Sequence, residues 1–113
     1  MKRPIHPSRN YKEIEQLLLI CFVSQGSGAS LITLGNVGQL AARFYPHVVS
    51  WEVEAEENGE LLEEFRVSQV PTLIILCKGV VLERFSGLFP KSKLEEVLCR
   101  LLEGSLVDPC TSN

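Results

Sequence analysis

The longest uninterrupted apolar stretch of the chain, Leu18-Leu19-Ile20-Cys21-Phe22-Val23, shows no polar alternation and predicts a strand buried on both faces. Just before it, Tyr11, Ile14, Leu17 and Leu18 stand at helical spacing, so a short helix is expected to feed that strand. The polar, glycine-rich Ser24-Gln25-Gly26-Ser27-Gly28 stops the strand and offers a helix N-cap. Leu31, Leu34, Val37, Leu40, Ala41 and Phe44 then recur at steps of three and four. They predict a helix that Pro46 ends and that bends or frays in its middle, at Gly35 and Gly38. Val49, Trp51 and Val53 alternate with Ser50, Glu52 and Glu54, the period of a strand with one polar face and Trp51 turned inward.

Gly59 to Phe65 reads as a short acidic helix with Leu61, Leu62 and Phe65 on one side, after which Val67 to Thr72 turns the chain back. Leu73–Cys77 and Val80–Phe85 flank Lys78-Gly79, a two-residue spacing that predicts an antiparallel hairpin. Leu94, Val97, Leu98, Leu101 and Leu102 draw one apolar stripe from Pro90 to Glu103, closed by Gly104. The expected order is α-β-α-β-α-β-β-α, without internal repeats. Residues 1–10 read as a loose N-terminal arm able to add an edge strand, 11–104 as one domain, and 105–113 as a mobile tail.

Composition narrows the class. A chain of 113 residues, 45% hydrophobic and 22% charged, suits one compact α/β domain with a real core. A net charge of −3 argues against a nucleic-acid partner, because phosphate neutralisation needs a basic patch. The apolar run at Leu17 to Val23 is far short of the roughly 20 residues that span a bilayer, and the acidic and polar segment just before it does not read as a signal-peptide n-region. The expected setting is therefore cytoplasmic, with no membrane contact. Cys21, Cys77, Cys99 and Cys110 are scattered, with no C-x-x-C pair and no adjacent histidines, so no metal site is expected. Reduced thiols are expected; two disulfides are the alternative for an exported chain.

Phe65-x-Val67-x-x-Val70-Pro71-Thr72-Leu73, followed by Lys78-Gly79 and by Phe85-Ser86-Gly87 before a last helix, resembles the thioredoxin superfamily over about residues 15 to 103. The resemblance implies a thioredoxin fold, a central mixed sheet of about four strands flanked by helices, with Pro71 cis and facing the active-site turn. Where the family carries Trp-Cys-Gly-Pro-Cys, this chain has Gly26-Ser27-Gly28-Ala29-Ser30, so both cysteines are serine. The family's chemistry needs a thiolate of lowered pKa that attacks a disulfide and is resolved by its neighbour. A serine hydroxyl is too basic for that and forms no mixed disulfide. The acidic residue that the family buries behind its dithiol corresponds to Cys21, and the basic residue near it to Glu52. Within the superfamily, Trp51 to Asn58 leading to Phe65 to Thr72 looks most like the degenerate thioredoxin domains of multidomain monothiol glutaredoxins. Their iron-sulfur and glutathione chemistry sits on other domains, so no cofactor is implied here.

Several residues have two readings. Ser27 and Ser30 are either a remade nucleophile site or, for Ser27, a helix cap; no histidine is placed to act as base, since His6 lies in the arm and His47 at the start of the second strand. Cys21 is either a redox sensor or a small buried hydrophobe. Cys77, at the mouth of the hairpin, is expected to touch solvent, and Cys99 to lie beside the apolar stripe. The acidic set Glu52, Glu54, Glu56, Glu57, Glu60, Glu63 and Glu64 is either a solvated face or a dock for a basic partner or divalent cation. The leading expectation is a redox-inactive binding module. Gly26, Ser27, Val70, Pro71, Thr72 and Gly87 would form a groove holding an extended peptide of a protein partner through main-chain hydrogen bonds. The alternative is a thiol–disulfide oxidoreductase or redox sensor acting through a non-motif thiol, Cys21 or Cys77; a third reading is a structural subunit of a larger assembly. Oligomeric state does not follow from these patterns.

Overall fold

The computed structural model of the chain describes residues 11–103, and the arm, its edge strand, the Gly104 stop and the tail lie outside the described residues. Within them the chain forms β1 (Leu17–Val23), α1 (Gly28–Arg43), β2 (Val48–Glu54), α2 (Gly59–Glu64), β3 (Thr72–Cys77), β4 (Val80–Ser86) and α3 (Lys91–Glu103). Tyr11–Glu13 and Ala55–Glu57 are single 3-10 turns. The leading helix is thus only one turn. Leu17 and Leu18, which completed its helical spacing, belong to β1, because β-pairing to two neighbours outweighs a marginal local helix.

The sheet order is β2-β1-β3-β4. β1 runs parallel to β2, from Leu17 opposite Val48 to Val23 opposite Glu54, and antiparallel to β3, with Phe22 opposite Thr72. β3 and β4 pair antiparallel around Lys78 and Gly79, at φ 52 and 86, the left-handed pair that a two-residue hairpin demands. This is the four-stranded mixed sheet of the thioredoxin fold, helices on both faces.

All of β1 is buried. Leu17, Leu19, Cys21 and Val23 point into one core, shared with Val37 and Leu40 of α1 and Leu94, Val97 and Leu98 of α3. Leu18, Ile20 and Phe22 point into the other, with Tyr11, Leu61 and Phe65. Tyr11 donates its hydroxyl to Glu64 and lies 5.2 Å from the Phe65 ring, pinning the first turn to α2. Trp51 is half-buried against this second core.

α1 runs unbroken through Gly35 and Gly38, without the fraying expected there. Its buried face packs on the sheet and carries the helix across two poor helix formers. α2 ends with Arg66 at φ 55, where Arg66 N–H bonds to Glu63 O at 3.1 Å and Val67 N–H to Leu62 O at 2.8 Å. This is a Schellman closure, and Arg84 completes it by donating to the carbonyls of Phe65 and Arg66. No helix among the described residues is long and apolar enough to cross a membrane.

Leu19, fully buried at mid-strand, sets the stability scale. Leu19→Ala should lower the unfolding free energy by about 3 kcal/mol, read as a shift of the urea midpoint at unchanged slope.

Candidate functional site

The strand registers bring one set of loops together at one end of the sheet. The last residues of β1 and β2, Val23 and Glu54, are paired neighbours, and Phe22 sits opposite Thr72, the first residue of β3. Thr72 in turn faces Ser86, the last residue of β4. The turn after β1, the Val70-Pro71 approach to β3 and Gly87 after β4 therefore share a rim, beyond the carboxyl ends of three strands. Open α/β sheets place ligands in such positions.

The turn is closed by its serines. Ser27 is the N-cap of α1, its backbone extended at φ −90 and ψ 118, and its Oγ accepts from Ser30 N–H at 3.1 Å. Ser30, fully buried, turns its own Oγ back to accept from Ser24 N–H at 3.1 Å. Ser27 N–H bonds to Ser24 O at 3.3 Å, and Gly26 takes φ 80, a region open to glycine. The turn is also tied to β2: Ser24 donates its hydroxyl to Glu56, and Gln25 Nε2 donates to Glu54 Oε2 at 3.2 Å. The bond from Ser24 holds the Glu56 carboxyl below the usual carboxylate range. These carboxylates serve the turn, and Glu64 serves Tyr11. Among the described residues no group of three or more His, Cys, Asp or Glu is arranged to hold a metal ion.

Opposite the turn, the Val70-Pro71 peptide is cis, with Pro71 buried and Val70 half-buried. Thr72 is buried and donates its hydroxyl to Gln69 O at 2.7 Å. Gly87 N–H bonds to Pro71 O at 2.8 Å, so the β3–β4 ladder extends one step and fixes Gly87 against the loop. Gly87 has φ 79, and a Cβ there would stand 3.2 Å from Gln69 Nε2. Gly26, Ser27, Val70, Pro71, Thr72 and Gly87 are thus brought to one rim by the registers.

The remaining candidates are elsewhere. Cys21 is buried on the α1 side of β1, and burial, with a smaller contribution from Glu52, pushes its thiol up to about 12. Cys77 is fully buried, against the expectation that it touches solvent, because β3 is covered on both faces; it is also disulfide-bonded and so not a titrating thiol, which corrects the expectation of reduced cysteines throughout. Cys99 on α3 is a half-buried free thiol. His47 O accepts from Leu17 N–H at 3.1 Å, which puts His47 at the far end of β1 from Ser27. Six strand steps of about 3.3 Å each separate the ends, so no triad with Ser27 forms. His6 and Cys110 lie outside the described residues. Sequence reasoning missed the tether from Ser24 and Gln25 to Glu56 and Glu54, and a second cis bond at Tyr45-Pro46, read beforehand only as a helix stop.

No protein-family profile matches the chain. Among curated proteins, the thioredoxin of Chlamydia trachomatis is 31% identical over 84 residues, 74% of this chain and 81% of that protein. The H-type thioredoxin of Fagopyrum esculentum is 30% identical over 67% of this chain and 65% of its own length, and thioredoxin-T of Drosophila melanogaster 29% over 74% and 58%. The chain thus spans less than two thirds of the length of these two relatives. Among solved structures, chloroplastic thioredoxin z superposes with a TM-score of 0.75 at 21% identity, covering 86% of this chain and 88% of that one. Fasciola hepatica thioredoxin gives 0.71 at 26%, covering 82% and 88%.

Alkylation separates the free thiols. In the folded protein at pH 7 to 9, iodoacetamide should leave Cys21 unmodified while labelling Cys99, and unfolding should make Cys21 reactive. Since the folded Cys21 thiol is raised from 9.0 to about 12, its neutral form contributes stability that is whole below pH 9 and is lost as pH rises from 9 towards 12. Cys21→Ala should flatten that alkaline limb of a stability–pH profile.

Proposed function

The chain belongs to the thioredoxin family, and we propose that within it this protein is a redox-inactive binding module that docks an extended segment of a protein partner in the groove between the Gly26–Ser30 turn and the Val70-Pro71 loop. The observation that carries this reading is the use of both serine hydroxyls. At the two positions where the family resemblance expects thiols, Oγ of Ser27 and Oγ of Ser30 accept backbone hydrogen bonds that hold the turn closed. The turn keeps its shape without sulfur, and an oxygen at either position cannot take up a disulfide.

Recognition would be by main chain. Val70 lies just beyond the last β1–β3 pair, Phe22 with Thr72, so an extended peptide can align beside it as an added strand, with Gly26, where a Cβ would meet nothing within 4 Å, leaving room for its backbone. The resemblance to degenerate thioredoxin domains of multidomain monothiol glutaredoxins fits this reading, since such a domain would dock partners for chemistry done elsewhere. A second reading, residual thiol–disulfide exchange, is favoured by the relatives being named thioredoxins. Burial weighs against Cys21, and among the described residues the thiol left for it is Cys99.

Two measurements test the proposal. With dithiothreitol as reductant, the natural protein should not accelerate insulin reduction, whereas Ser27→Cys/Ser30→Cys should; activity of the natural protein would favour the second reading instead. For the groove, the probe is a peptide selected from a random displayed library against the natural protein. Its titration should shift amide resonances of Gly26, Ser27, Thr72 and Gly87, and Val70→Trp should weaken binding by at least tenfold, about 1.4 kcal/mol, at unchanged melting temperature. Val70 is a cleaner probe than Gly87, where any side chain is strained at φ 79. Shifts confined to another face, or full binding by the variant, would remove the groove.

A further inference from the structure

The loop before Pro71 carries a polar side chain for which the fold itself has no use. Gln69 is exposed, yet its amide end lies against the rim: Nε2 stands 3.2 Å from where a Gly87 Cβ would be. Apart from the chain neighbours of Gly87, no other described atom comes within 4 Å of that position. The carboxamide therefore occupies the space that glycine leaves open between the loop and the end of β4. Both residues that meet there are fixed to one turn. Thr72, fully buried, donates its hydroxyl to Gln69 O at 2.7 Å, and Gly87 N–H bonds to Pro71 O at 2.8 Å. Among the described residues the Gln69 carboxamide makes no hydrogen bond of its own. Its two N–H donors and its carbonyl acceptor thus stand beside a groove residue with no partner inside the fold.

The geometry of an added strand gives these groups a task. Val70 N–H and C=O have no backbone partner among the described residues, and they are the groups with which such a strand would pair. Along an extended peptide, alternate residues turn their N–H and C=O to the same edge. A partner residue paired with Val70 is therefore followed, two positions along, by another whose N–H and C=O face the loop. The loop offers no backbone rung there, because the chain bends at Gln69 and the Thr72 hydroxyl closes that bend. A carboxamide holds a donor and an acceptor in one plane, as a peptide group does, and can stand in for the missing rung.

We propose, resting on the groove reading above, that Gln69 is a specificity-determining residue of that groove. Its carboxamide forms the rung next to Val70, with Nε2 donating to the carbonyl and Oε1 accepting from the N–H of one partner residue. The partner that fits is an extended segment with a free N–H at that position, so proline is excluded there. Gly87 contributes by leaving the slot in which the carboxamide sits.

The probe is the peptide selected from a displayed library against the natural protein, its residue paired with Val70 located by intermolecular NOEs. Gln69→Met keeps the side-chain length and removes both donor and acceptor. It should weaken binding roughly tenfold at unchanged melting temperature, since the side chain is exposed. Amide-to-ester replacement along the peptide removes one N–H at a time without adding bulk. The ester two positions from the residue paired with Val70 should cost about fivefold against the natural protein and nothing against Gln69→Met, while the ester at the paired residue should cost the same against both. A library selected on the natural protein should lack proline at the position read by Gln69, and one selected on Gln69→Met should admit it. Resonance shifts confined to another face would remove the groove and this inference together. Groove shifts with full binding by Gln69→Met, or ester costs equal in the two proteins at every position, would overturn this inference and leave the groove standing.

Discussion

The burial of β1 on both faces is the constraint on which the rest of the structure depends. A seven-residue strand with no exposed side chain has no solvent to satisfy its backbone, so each N–H and C=O needs a neighbour strand on either side. That requirement makes β1 a central strand, with β2 parallel on one edge and β3 antiparallel on the other. The two-sided side-chain pattern then requires a layer on each face, and α1 with α3 supplies one while α2 and the first turn supply the other. The site inherits its position from this: whatever follows Val23 must emerge at the sheet end where β3 begins and β4 finishes.

What was legible in the sequence follows the strength of local signals. The strand periods, the Lys78-Gly79 turn, the cap at Ser27 and the Val70-Pro71-Thr72 segment all stood out because each depends on residues within a few positions. Misreadings arose where long-range packing decided. Leu17 and Leu18 carried helical spacing into a segment that pairs as strand, and Cys77 sits beside a turn yet is closed in by both layers. Arg66 adopts a left-handed conformation usually left to glycine; its compensation comes from Arg84, eighteen residues away and invisible to local pattern.

The candidate site was legible in its members and not in its wiring. Gly26, Ser27, Pro71 and Gly87 could be named from the family-like segments. That Ser30 folds its hydroxyl back onto Ser24, and that Ser24 and Gln25 reach the carboxylates of Glu56 and Glu54, depends on which residues β1–β2 pairing brings side by side. The acidic run therefore has a local role that its composition alone did not suggest: two of its carboxylates anchor the turn.

The unbroken α1 shows why losing the dithiol need not loosen the scaffold. Gly35 and Gly38 together cost a helix about 2 kcal/mol relative to alanine, enough to fray an isolated peptide of this length. Val37 and Leu40 alone, fully buried against β1, contribute on the order of 3 kcal/mol or more and lie on the turns that the glycines weaken. The buried face thus fixes the helix, and the cap at Ser27 needs only to satisfy its first amides. The exposed face is released from any duty to hold the helix together. That division of labour is what leaves an uncharged, glycine-bearing surface on the element that carries the family's active-site position.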